Sequence, residues 1–282
     1  MSAHQTSRSG KTGLSDFTPH LGLAAYFRTA LVAESDACKG VALRLVDSRW
    51  PWVPTLGTLS LVGTRKKQKI RIRKGDATIL ESQIASPTFH RISTGVSNRE
   101  ANNHAHAYLD TGAKVREYQV PFTAQLQTRA FVLPSGKVIH DWLALVDELL
   151  VILNAQHAVL CAYTTADATL SDISLMEIFV DDVARHASST ELHRASFWRD
   201  LLGGQYVRHP RWRTYLLPVH LDRIGGLERI EREICPDMTK EVGELICIQL
   251  TSFENCLSSE CEQKRQLLAE IMAPIVVPEV PE

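Results

Sequence analysis

The 282-residue chain is expected to fold as an α+β protein, with mixed or antiparallel sheets, helices packed on one face, and two packed halves. Three observations predict this. Short runs of β-type alternation crowd the first half, notably Gly57 to Val62 and Lys69 to Lys74; a long apolar stripe of helical period starts only at Trp142; and from there to Met272 helical and strand-like segments follow one another. The expected boundaries are a tail over residues 1–16, a β-rich half over 17–136, an α+β half over 137–273 and a second tail over 274–282.

In chain order, residues 1–16 are rich in Ser, Thr, Gly and Lys and lack the apolar run of a signal peptide. His20 to Glu34 sets Leu23, Phe27, Ala30 and Leu31 near a 3.6-residue period and predicts an amphipathic helix. Gly40 to Asp47 alternates through Val41, Leu43 and Leu45 and predicts a strand, which Trp50-Pro51-Trp52-Val53-Pro54 cannot continue because proline lacks a ladder donor. Gly57 to Val62 and Lys69 to Lys74 predict a hairpin. Its basic run, Arg65 to Lys74, reads chiefly as a solvated edge protected against aggregation, and otherwise as a nucleic-acid or partner patch. Ser86 to Ala113 is polar and poorly periodic; His104, His106 and Asp110 could supply metal ligands, but a histidine-bearing loop or edge strand is the plainer reading. Glu117 to Gln125 and Thr128 to Pro134 predict two more strands.

The second half opens with Asp141 as a candidate N-cap for a core helix whose stripe is Trp142, Leu145, Val146, Leu149, Ile152 and Leu153. Ala158 to Tyr163 predicts a strand buried on both faces. Asp172 to His186 and Thr190 to Leu202 predict helices, the second ended by Gly203-Gly204. Tyr206, Trp212 and Tyr215, set among Arg208, His209, Arg211 and Arg213, form either a base-stacking platform or, as favoured, a packed loop whose arginine stems cover rings. Val219 to Ile224 and Leu227 to Ile234 predict short helices, Glu244 to Thr251 a strand and Glu260 to Met272 a last helix.

Composition narrows the function. With 31 Lys+Arg against 32 Asp+Glu there is no bulk basic field to draw the chain to nucleic acid or anionic lipid, and no stretch of eighteen apolar residues to span a membrane. The chain is read as cytoplasmic, with no membrane contact and nucleic-acid binding disfavoured. Six scattered cysteines predict reduced thiols, and the Cys256 and Cys261 pair has no second pair to complete a zinc knuckle. No serine-hydrolase elbow, P-loop or kinase glycine loop is present. The expectation is therefore a non-enzyme without a cofactor. The sharpest acidic cluster, Glu177, Asp181 and Asp182, is either a solvated helix face or a surface for a basic partner or, less favoured, for a divalent cation.

One resemblance goes further. Phe131-Val132-Leu133-Pro134, the Trp-Leu helix, Gly203-Gly204, the run Arg208-His209-Pro210-Arg211-Trp212-Arg213-Thr214-Tyr215-Leu216 and the later Gly225-Gly226-Leu227-Glu228-Arg229-Ile230, closing at Gln249-Leu250-Thr251, resemble bacterial immunity proteins of polymorphic and type VI secretion toxin systems. The likeness covers about residues 125–252. It implies a cognate toxin as partner, neutralised by occlusion of its active site, with Glu177, Asp181 and Asp182 as the first candidate contact. The readings set against it are a dispersed-site enzyme and a nucleic-acid-binding module using residues 65–74.

Overall fold

The computed structural model describes residues 20–27, 40, 43–44, 47, 56–61, 67–71, 89–98, 103–110, 123–128, 136–163, 206–207 and 209–276, with side-chain environments chiefly from Ile139 onward. Among the described residues, ten strands form one antiparallel sheet: β1 (His20–Phe27), β2 (Leu56–Leu61), β3 (Lys67–Arg71), β4 (Phe89–Asn98), β5 (Asn103–Asp110), β6 (Thr123–Thr128), β7 (Ala155–Tyr163), β8 (Arg213–Leu216), β9 (Met238–Val242) and β10 (Leu245–Gln249). Their order is β3-β2-β4-β5-β6-β1-β7-β8-β10-β9. The joint is β1, which pairs with β6 on one side and with β7 on the other, so the two ends of the chain's strand-bearing sequence share a sheet.

Four helices accompany the strands among the described residues: α1 (Gly136–Ile152), α2 (Pro218–Arg223), α3 (Leu227–Ile234) and α4 (Ser259–Met272). The α+β class holds, but the helices flank both faces of strands β7 to β10. Adjacent strand residues point to opposite faces. Lys240 reaches Asp147 of α1, whereas its neighbour Thr239 donates to Glu231 of α3 at 2.7 Å. On the α1 side, Ala158, Tyr215, Cys247 and Lys240 stand in register across four strands, and Leu160, Arg213, Gln249 and Met238 form the next row. The core runs through both layers, from Trp142, Leu145 and Val146 of α1 to Ile230 and Leu268 of α3 and α4.

Several elements depart from expectation. His20–Phe27 is a strand, not a helix. Its apolar residues fit both periods, and two ladder partners decide the matter where one sequence window could not. Gly40, Leu43 and Arg44 are helical rather than extended. Arg44 bonds Glu148 at 3.1 Å and Gly40 abuts Ile152, so positions four apart on this turn meet positions four apart on α1. Asp141 lies inside α1 and does not cap it; the stripe extends back through Ile139, which is buried, and the helix starts a turn earlier. Residues 89–98 and 103–110 are long inner strands rather than a loop or edge, and strand β9 was not anticipated. The hairpin over β2 and β3 is present, with β3 at the sheet's edge, and α1, β7, β10, α2, α3 and α4 form where the patterns place them. Residues 50–54, 172–186 and 190–202 lie outside the described residues.

Candidate functional site

Strand β8 is short, yet all four of its residues are buried. On its α1 face, the Tyr215 hydroxyl donates to Asp147 Oδ1 at 3.0 Å, and Lys240 donates to the other oxygen of the same carboxylate. One turn of strand away, Arg213 Nε donates to Gln249 Oε1 at 2.6 Å, and its guanidinium lies 5.4 Å from the Trp212 ring centre. The second guanidinium nitrogen, Nη1, is buried without a hydrogen-bond partner, as is Trp142 Nε1. Burial holds the Tyr215 phenol well above its ordinary range and pushes the adjacent Cys247 thiol up to about 11, despite the opposing Arg213 charge. This network fastens α1 to β8 and β9 and ties β8 to β10. Tyr215 and Arg213 are buried at its centre, and Lys240 keeps 37% of its side chain exposed.

The opposite side of the sheet opens. A cleft of about 350 Å³ lies between the end of β7, the approach to β8 and the start of α4. Its lining includes Cys161, Cys256, Cys261, Trp212, Arg211 and Arg265. Trp212 is fixed from both sides: its indole N–H donates to Thr251 O at 2.8 Å, its carbonyl accepts from Leu250 N–H at 3.0 Å, and Phe253 meets its ring edge-on at 5.8 Å. Ser258 caps α4 by accepting the Cys261 N–H at 3.1 Å, which sets that thiol at the cleft. Burial, with Cys261 and Cys161 nearby, pushes the Cys256 thiol up to about 12; burial raises Cys261 as well. The thiols are therefore neutral at physiological pH and behave as small apolar groups. At the mouth stand exposed Leu257 and the pair Arg265 and Glu262, joined at 2.6 Å and 2.8 Å, which holds the Glu262 carboxyl below its usual range.

The fold is similar to that of a type VI secretion (T6SS) protein of Pseudomonas aeruginosa. That structure shares 13% sequence identity and a TM-score of 0.56, with 93% of this chain and 74% of that one covered. At this identity the likeness is one of fold. No family model and no curated protein matches the chain.

Of the sequence-predicted site residues, Glu177, Asp181 and Asp182 lie outside the described residues. His104 and His106 occupy alternate positions of β5, opposite Ser97 and Gly95 of β4, and Asp110 stands opposite Arg91. Among the described residues, no group of three His, Cys, Asp or Glu could hold a metal ion. Within that same span no helix is long and apolar enough to cross a membrane. Trp212 and Tyr215 are 3% and 0% exposed, so the aromatic and arginine stretch is packed and offers those two rings to no base. The cysteine-floored cleft was not foreseen. Only the spacing of Cys256 and Cys261 hinted at it, and Cys161 joins them from a strand nearly a hundred residues earlier.

Proposed function

We propose that this chain is an immunity protein of a bacterial type VI secretion toxin system, binding a cognate toxin in the cytoplasm and occluding its active site. The observation that carries the reading is the fold-level similarity to a T6SS protein along 93% of the chain. It agrees with the resemblance of residues 208–216 and 225–230 to immunity proteins; those residues supply β8 and the turn that links α2 to α3. In that turn Gly225 and Gly226 take positive φ of 95° and 85°, a backbone that side chains resist, so the stretch is built for one shape. A preformed surface suits a neutralising binder, because little ordering entropy is lost on docking. Such an interface covers roughly 800 Å² on each partner, and Glu177, Asp181 and Asp182 remain its candidate acidic contact for a basic cleft.

The test is co-expression with the product of the adjacent gene. Rescue of growth from that product's toxicity, together with a complex that survives purification, is expected. A toxic neighbour that this chain neither binds nor neutralises would defeat the proposal.

A further inference from the structure

We infer that Arg213 and Trp142 form an internal binding site for a small monovalent inorganic anion of the chloride type, held between α1 and the sheet. Arg213 is 5% exposed, yet among the described residues no carboxylate bonds it. Its Nε donates to a neutral amide, Gln249, its guanidinium lies over the Trp212 ring, and its Nη1 has no partner. The surrounding layer does not balance the charge. Asp147 already accepts from both Tyr215 and Lys240, so two cations share one carboxylate, and the Tyr215 phenol and Cys247 thiol beside Arg213 keep their protons. A buried charge without a counter-charge is strongly unfavourable, and an anion relieves it.

A second donor converges on the same place. Trp142 is fully buried and its Nε1 is equally without a partner. Asp147 stands over the row of Tyr215 and Lys240, while Val151 abuts Gly243 just past β9, so α1 and β9 run the same way. Trp142, about 7.5 Å back from Asp147 along the helix axis, therefore comes over the preceding row, Leu160, Arg213, Gln249 and Met238, which lies about 7 Å back along the strands. The donor set selects the occupant. A water would leave the guanidinium charge as it was and would have two hydrogens to place, whereas Gln249 Oε1 and both Asp147 oxygens already accept hydrogen bonds. A halide accepts from both N–H groups, supplies the missing negative charge and tolerates Leu160 and Met238 beside it. Met238 and Gln249, both half-buried toward the edge of the sheet, give it a way in.

Two measurements on the full chain test the site. In crystals soaked in sodium bromide, an anomalous-scattering peak is expected within hydrogen-bond distance of Arg213 Nη1 and Trp142 Nε1; ordered water there, with no anomalous signal, overturns the site. In thermal melts at constant ionic strength, replacing gluconate by chloride should raise the melting temperature by about 2–4 °C and then saturate, as binding to the folded state requires. Arg213→Met removes charge and donor together and should abolish that rise. In gluconate it should melt no lower than the parent, because an apolar side chain suits a buried position better than an uncompensated charge. Trp142→Phe, which keeps an aromatic ring, serves where Arg213→Met does not fold and should raise the chloride concentration at half-saturation about tenfold, the loss of one hydrogen bond to a charged group. A chloride response that is unchanged in either folded variant places the ion elsewhere and overturns the inference, as does a parent protein indifferent to chloride.

Discussion

Tyr215 shows how much one side chain settles in this molecule. It is fully buried, its hydroxyl reaches Asp147 across the layer between sheet and helix, and Asp147 in turn holds Lys240. Burying a carboxylate is costly unless its oxygens are satisfied, and here one donor comes from β8 and the other from β9. Tyr215→Phe keeps the ring and removes only the β8 donor. It should cost about 1.5–3 kcal/mol, the usual worth of a hydrogen bond to a charged group, read from the urea midpoint. Asp147→Asn should cost less, because an amide oxygen still accepts from the phenol and Lys240, at 37% side-chain exposure, can turn to water. A Tyr215→Phe protein as stable as the parent would mean that the carboxylate finds its donor elsewhere. None of this is visible in sequence, because the partners of Asp147 lie 68 and 93 residues away.

At the scale of elements, what was legible depended on whether a segment carries its own reason to fold. In α1, buried Trp142, Leu145, Val146 and Leu149 repeat at helical spacing, and α3 places Ile230 and Ile234 inward with Glu228, Glu231 and Glu233 outside, so both helices were legible, though not the start of α1 at Gly136. His20–Phe27 was not, since Leu21, Leu23, Tyr26 and Phe27 satisfy either period and only β6 and β7 impose extension. Met238–Val242 escaped for a different reason. Its Thr239 and Lys240 are polar because an edge strand spends them on ties to the flanking helices, Glu241 is exposed, and no alternation survives. The cleft was hidden likewise, its thiols being contributed by separate elements. Helix α3 also carries a local strain: its last residue boundary, Cys235, sits at φ 51° in the left-handed region, ahead of Pro236. Glycine is the ordinary occupant of such a cap. Cys235→Gly, at an exposed site, is expected to stabilise the protein by about 0.5–1 kcal/mol as a rise in urea midpoint; a drop would show that the thiol contributes more than the strain costs.

For the whole molecule, the layered core couples stability to alkaline pH. Tyr215, Cys247, Cys256 and Cys261 all hold their protons more tightly folded than unfolded, because burial penalises the thiolate and phenolate. Unfolded thiols release theirs near the ordinary value of 9.0, whereas folded Cys247 and Cys256 wait until about 11 and about 12. Above pH 9 the unfolded state therefore sheds protons first, which draws the equilibrium toward it; below pH 9 the full stability remains. Each thiol removes about 1.4 kcal/mol per pH unit in that window, so these two together should remove about 3 kcal/mol between pH 8 and pH 10. Cys247 lies in the α1 layer and Cys256 beside α4, so the loss draws on both sides of the sheet and should appear as one cooperative transition. Urea titrations at pH 8, 9 and 10, repeated with Cys256→Ser, check this. The substitution should remove the Cys256 share, about 1.4 kcal/mol between pH 8 and pH 10, and stability that stays flat to pH 10 would mean that water reaches the thiols in the folded protein.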